Sequence, residues 1–145
     1  GVEWGELDYL IIDMPPGTGD AQLTLAQSSK LSGAIIVSTP QDVALIDARK
    51  GINMFNRVEI PVLGIVENMS YFICNNCNER HEIFSHGGAQ KEAEKFQTSF
   101  LGELPIEKNL RVQSDEGRPI CISDPDSSIA KKYIEIAEKI NNSIL

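Results

Sequence analysis

The sequence predicts a three-layer α/β/α fold, a mostly parallel sheet with helices on both faces. Two observations carry this. Short apolar runs alternate with longer segments of helical periodicity, and the runs are apolar at successive positions rather than at every second one. Continuous apolar strands suit a parallel sheet buried on both sides, and strand–helix–strand alternation supplies the crossovers such a sheet needs.

Taken in order, Leu7 to Ile12 is the first expected strand, buried and ending at Asp13. Gly33 to Ser38, Val62 to Val66 and Ser99 to Leu104 are the next three. Helices are expected over about Asp20 to Ser29 and Asp42 to Arg57; in the second, Val43, Ile46, Ile52 and Phe55 recur near helical spacing and Asp42 can cap the start. Past Asn68 the alternation breaks. Residues of about 69–86 hold Cys74-Asn75-Asn76-Cys77, both histidines and several aromatics, and read as an insertion. Helices over about Ala89 to Phe96 and Lys108 to Glu116 follow. A last helix begins at Asp124-Pro125, with Ile129, Tyr133, Ile134, Ala137, Ile140 and Ile144 on its apolar face.

At 145 residues, 41% hydrophobic and 23% charged, the chain fits one soluble globular domain. A net charge of −8 argues against nucleic acid or an anionic membrane as partner, since both favour basic patches. It does not argue against a phosphate site built from backbone amides. No apolar run approaches the ~20 residues of a membrane-spanning helix. Three cysteines make no disulfide framework and suit a reducing compartment, so the cytoplasm is expected.

The densest chemistry lies in Asp13-Met14-Pro15-Pro16-Gly17-Thr18-Gly19-Asp20. An acid at the carboxyl end of a strand sits where open α/β sheets bind ligands, and in nucleotide hydrolases such an acid holds magnesium through water. The prolines and glycines after it shape a loop whose N–H groups can face a phosphate. An ordinary turn with an aspartate capping the next helix has the same local pattern. No Gly-x-x-x-x-Gly-Lys-Ser/Thr loop accompanies it, and the expectation is that this chain is the carboxyl-terminal part of a longer nucleotide-binding domain.

Cys74 and Cys77 are spaced to share one metal ion or two irons of a cluster. The ligand set can be completed by His81 and His86, giving a compact zinc site, or by the same pair from a second chain across a twofold axis. A redox dithiol fits less well, because Asn75-Asn76 favours a turn over a helix amino terminus. Two unliganded cysteines is the remaining reading. Cys121, between Ile120 and Ile122, is expected to be a buried small hydrophobe.

Four motifs in this order give the chain a specific resemblance: residues Leu7 to Asp20; Ser38-Thr39-Pro40-Gln41-Asp42-Val43-Ala44-Leu45; Gly64-Ile65-Val66-Glu67-Asn68-Met69-Ser70; and Cys74-x-x-Cys77 followed by Ile83-Phe84-Ser85-His86-Gly87-Gly88-Ala89. From about Trp4 onward the chain resembles the Mrp/Nbp35 family of ATP-binding iron–sulfur cluster carriers, deviant-Walker-A relatives of MinD-like ATPases. The resemblance implies a P-loop NTPase-type α/β/α fold, with residues 1–145 forming the carboxyl-terminal part of a single domain that lacks the amino-terminal phosphate-loop strand and helix.

It further implies that Asp13 supports Mg2+ as the catalytic acid, and that Pro16, Gly17, Thr18 and Gly19 form the switch loop at the γ-phosphate. Asn68 would read the adenine edge of ATP, with Pro105 helping to enclose the base. Cys74 and Cys77 would hold a labile 4Fe-4S cluster in a homodimer, with zinc as the alternative occupant, for delivery to apo iron–sulfur proteins. Without the phosphate loop this chain alone is expected to be inactive as an ATPase. The competing reading is a MinD- or ParA-like positional switch with a structural zinc in the cysteine loop, although the mixed charges of Lys131, Lys132, Lys139, Glu135 and Glu138 do not make a basic membrane-binding helix.

Overall fold

The computed structural model describes residues 2–15, 17 and 19–144. In chain order the elements are α1 (Asp20–Ser28), β1 (Ala34–Ser38), α2 (Asp42–Arg57), β2 (Val62–Glu67), β3 (Phe72–Ile73), β4 (Arg80–His81), α3 (Gly88–Phe96), β5 (Phe100–Glu103), α4 (Lys108–Asp115), α5 (Ile120–Ser123) and α6 (Ser128–Ile144). Strands β1, β2 and β5 form a parallel sheet in that spatial order, and β3 and β4 form a separate antiparallel pair.

Strand alternation divides the core between two faces of the sheet. On one face Ile36 and Ile65 meet Leu45, Ile52 and Phe55 of α2 and Ala89 and Ala93 of α3. On the other, Val66 and Leu101 pack with Ile136 of α6, flanked by Tyr133 and Ile140. Ile52, Ile65 and Leu101 are each at most 1% exposed, and side chains of this size contribute about 1.5–3 kcal/mol apiece when fully buried. Helix α2 forms over the expected residues, but Val43 and Ile46 of its expected apolar face lie exposed, the buried face being Leu45, Ala48, Ile52, Met54 and Phe55, and its cap position is Gln41 rather than Asp42.

Four further expectations are corrected. The stretch Leu7 to Ile12 is neither a strand nor buried: Leu7, Tyr9, Leu10, Ile11 and Ile12 are all exposed. A strand exists only when a neighbour takes its N–H and C=O groups, and the sheet offers this segment no such partner among the described residues. The segment is tied down instead by Tyr9, whose hydroxyl donates to Asn141 Oδ1, and by Met14, which packs on the α2-side core.

Next, the continuous apolar run of β1 is buried on one face only, because α6 covers β5 and β2 but leaves Ile35 and Val37 uncovered. Cys121 lies exposed on the short helix α5, its Sγ 3.9 Å from the Ala130 carbonyl, rather than in the core. Lastly, α6 starts at Ser128, where Ser127 Oγ accepts the Ala130 N–H; Ile134, Ala137 and Ile144 turn outward, and Ile129, Ala130 and Ile136 are its buried residues.

Candidate functional site

The carboxyl ends of β2 and β5 each finish in an acid, Glu67 and Glu103. Backbone bonds weld this edge together: Asn68 N–H donates to Ser38 O (2.7 Å), Leu104 N–H to Glu67 O (2.8 Å), and Ser70 N–H to Leu104 O (2.9 Å). These bonds bring Asn68 and Pro105, expected far apart in sequence to serve one nucleotide base, to the same edge. Asn68 Oδ1 accepts the Met69 N–H at 3.0 Å and keeps a second lone pair.

Glu67 is fully buried and satisfied. Its carboxylate accepts the Gly87 N–H at 3.1 Å, the Ala89 N–H at 2.8 Å and the Ser70 hydroxyl at 2.7 Å. It thus fills the amino terminus of α3 with a negative charge supplied by the chain, where the helix dipole favours one. The close approach requires glycine: a Cβ on Gly88 would lie 2.9 Å from the Pro40 carbonyl and 2.7 Å from Leu45 Cδ1.

Ser70 Oγ also lies 2.9 Å from Glu103 Oε2 and 3.2 Å from His86 Nδ1. Arg80, on β4, grips Glu103 with Nη1–Oε1 at 3.1 Å and Nη2–Oε2 at 3.2 Å. Its Nη2 donates to His86 Nδ1 at 3.1 Å, and its guanidinium carbon stands 3.9 Å over the centre of the Tyr71 ring. Burial opposes ionisation of Glu103, but hydrogen bonds from Arg80 and Ser70 and the charge of Arg80 outweigh it and hold the carboxyl below its ordinary pKa. Glu67, His86 and Glu103 are close enough to hold a cation, yet Arg80 already sits on two of the three.

The insertion is a small hairpin, β3–β4, whose turn carries the cysteines. Phe72 pairs with His81 and Ile73 with Arg80. Cys74 N–H donates to Glu79 O at 2.9 Å, and Asn78 N–H returns to Cys74 O at 2.8 Å. Asn78, in the left-handed conformation (φ 57°), suits the turn. The backbone N–H groups of Asn76 and then Cys77, joined by the Cys77 thiol, bond the Cys74 sulfur and lower its pKa against a smaller opposing effect of burial. N–H groups converging on sulfur favour the thiolate, the form that binds metal. Cys77 is exposed, and Ile106 N–H donating to Tyr71 O (2.6 Å) fastens the base of the hairpin beside Pro105.

The remaining expected residues lie apart from this hairpin. Asp13 is exposed and outside any strand, Gly17 has φ 100°, and Gly19 forms the amino cap of α1. Gln22 Nε2 donates to Pro15 O at 3.0 Å, fixing the loop's approach to α1. Pro16 and Thr18 lie outside the described residues. The sequence reading missed Glu67, Ser70, Arg80 and Glu103; two acids closing adjacent apolar runs, the feature that singled out Asp13, was the available signal.

A parallel sheet with helices on both faces is the α/β class to which P-loop NTPase-type domains belong, here with a cysteine hairpin at its carboxyl edge. The structure is similar to the MinD cell-division ATPase of Pyrococcus furiosus (TM-score 0.73, 22% identity, 93% of this chain and 52% of that one), a likeness of fold. It is also similar to a nucleotide-binding protein of Archaeoglobus fulgidus solved with ADP and cobalt (TM-score 0.73, 48% identity, 86% and 50%).

Residues 1–141 match the model described as ParA, NUBPL iron-transfer P-loop NTPase, and the chain belongs to that family. Among its relatives, the iron–sulfur cluster carrier protein of Escherichia coli K12 is 56% identical over 137 residues (94% of this chain, 37% of the relative). The mitochondrial iron–sulfur protein required for NADH dehydrogenase of Arabidopsis thaliana is 54% identical over 140 residues (97% and 45%). The iron–sulfur cluster transfer protein NUBPL of mouse is 50% identical over 139 residues (96% and 44%). The chain therefore spans less than half the length of these curated relatives.

Proposed function

We propose that this chain is the cluster-bearing part of an iron–sulfur cluster carrier. Cys74 and Cys77 hold a 4Fe-4S cluster together with the same pair from a second copy, and the cluster is cargo passed to apo iron–sulfur proteins. The observation that carries this reading is the hairpin itself: two thiols on one turn, Cys77 exposed and Cys74 half-buried with its pKa lowered by neighbouring hydrogen bonds, on a stalk clamped to the sheet edge by Arg80 and Glu103. Two thiolates per chain leave half of a four-ligand set to the partner, so a twofold dimer closes it. A cluster so held can be released by parting the dimer.

Nucleotide enters the same edge. In this reading Asn68 and Pro105 contact the base of ATP, while Asp13 and the loop Pro16–Gly19 face Mg2+ and the terminal phosphate. In this reading hydrolysis shifts the loop and the dimer contact. No described helix is long and apolar enough to cross a membrane. Free thiols in such a site suit a reducing compartment such as the cytoplasm.

Anaerobic reconstitution with iron and sulfide tests the cysteine assignment. The chain should take up a cluster that Cys74→Ala and Cys77→Ala each abolish. Retention of cluster by the doubly substituted chain would overturn the assignment.

A further inference from the structure

The foot of the cysteine hairpin holds fewer protons than its acceptors call for. Ser70, fully buried, has one hydroxyl proton and three acceptors around it: Glu67 Oε1 at 2.7 Å, Glu103 Oε2 at 2.9 Å and His86 Nδ1 at 3.2 Å. It donates to one at a time. Arg80 Nη2 donates to His86 Nδ1 at 3.1 Å. A guanidinium only donates, so Nδ1 is bare and the imidazole is neutral, its proton on Nε2.

Charge is unbalanced there as well. His86 Nδ1 lies 3.6 Å from Glu103, 3.8 Å from Glu67 and 3.9 Å from Glu82, three carboxylates met by the single guanidinium of Arg80. The adjoining cavity of about 330 Å3 brings Gln90 of α3 and Lys132, Glu135 and Lys139 of α6 to the same side. Neither lysine answers the carboxylates: Lys139 Nζ donates to Leu101 O at 2.7 Å, and Lys132 Nζ stands 5.8 Å over the Tyr71 ring. A proton on Nδ1 supplies the missing donor, toward Ser70 Oγ and Glu103 Oε2. It also reverses the contact with Arg80, setting N–H against N–H and cation against cation across 3.1 Å.

We propose that His86 is a proton-operated latch on the cysteine hairpin. Neutral, it helps to hold Arg80 over Glu103; protonated, it takes Arg80's place on Glu103 and loosens β3–β4 from the sheet edge. The grip of Arg80 on His86 needs a bare Nδ1, so rising pH closes the latch and falling pH opens it. Glu103, despite its burial, is held below its ordinary pKa by Arg80 and Ser70 and stays ionised to receive the imidazolium. The His86 side chain is 39% exposed, which gives the proton a direct path from solvent. On the carrier reading, on which this consequence alone rests, acid hastens hand-over of the cluster from the hairpin.

The test is hydrogen exchange by NMR on the reduced, metal-free chain from about pH 8 to about pH 5, the range in which imidazole changes charge. Rates are corrected for the intrinsic pH dependence of exchange. Protection of the Cys74 and Asn78 amides should fall about fivefold, the scale of one lost hydrogen bond, in step with the His86 ring resonances, while the β2 amides keep theirs. His86→Gln keeps an acceptor for Arg80 and takes up no proton, so its hairpin should stay protected throughout. The chain has two histidines, and His81→Gln should leave the transition in place. Protection that stays flat while His86 titrates, or that falls alike in His86→Gln, overturns the latch, as does a transition lost in His81→Gln. Iron–sulfide reconstitution reads the carrier proposal separately: failed cluster uptake leaves the latch standing, and a flat exchange profile leaves the carrier standing.

Discussion

Arg80 and Glu103 form a two-pronged pair, 3.1 and 3.2 Å, that joins the second strand of the cysteine hairpin to the end of the last sheet strand. The hairpin's two strands contribute only two residues each, far too few for an independent β-structure, so this clamp and the Tyr71–Ile106 backbone bond give it a fixed position. Arg80→Ala should cost about 1 kcal/mol or less in global stability, because the pair is partly solvated. Its larger effect should be local, with hydrogen exchange at the Cys74 and Asn78 amides accelerating severalfold while the amides of β2 keep their protection. Unchanged exchange in the turn would show that the clamp does not order the hairpin.

Glu67 is the structural centre of the sheet edge. Glu67→Ala removes the acceptor of two helix N–H groups and a buried hydroxyl, and should destabilise the fold by about 2–4 kcal/mol in urea denaturation. Glu67→Gln places an amide NH2 against at least one of those donors, so it should recover only part of that loss. A glutamine variant as stable as the original chain would contradict the accounting of the two N–H groups.

Acid should loosen the contact between α2 and α3. Arg49 donates to Glu92 through Nε (2.8 Å) and Nη2 (2.7 Å), and these bonds lower the Glu92 pKa against the opposing effect of burial. A carboxyl lowered on folding adds stability above its unfolded value of about 4.3 and loses it as pH falls through the folded one. The urea midpoint should therefore drop as pH falls below about 4.5. Glu92→Gln should be less stable at neutral pH and show a shallower drop over that window, with Glu103, lowered likewise, supplying the remaining slope. Equal slopes in the two proteins would remove Glu92 from the account.

Packing between β2 and β5 leaves no room at Gly64, where a Cβ would fall 2.6 Å from the Ser99 carbonyl and 2.5 Å from Leu101 Cγ. Gly64→Ala should destabilise by about 1–3 kcal/mol or more, since backbone must move. A melting temperature within a degree of the original would show that the strands separate more easily than the packing implies.

Sequence periodicity located α2 to the residue and β1, β2 and β5 to within one or two, because each buries a long apolar pattern against a neighbour present in the chain. Leu7 to Ile12 carries as strong an apolar pattern and forms no strand: the pattern reports what could be buried, and pairing decides what is. Cys121 misled in the same way, since two flanking isoleucines do not bury a residue on a four-residue helix whose outer side faces water. At the site, the spacing of Cys74 and Cys77 was legible because metal binding constrains local sequence. Glu67, Ser70, Arg80 and Glu103 were not, because their network joins three separate stretches and depends on which strands lie side by side.

The most direct test of the central claim is native mass spectrometry of the anaerobically reconstituted chain. The account predicts two chains carrying a single 4Fe-4S cluster, with the dimer lost when Cys74 and Cys77 are both replaced by alanine. A monomer carrying a complete cluster, or a dimer that forms with no iron and survives loss of both cysteines, would contradict it.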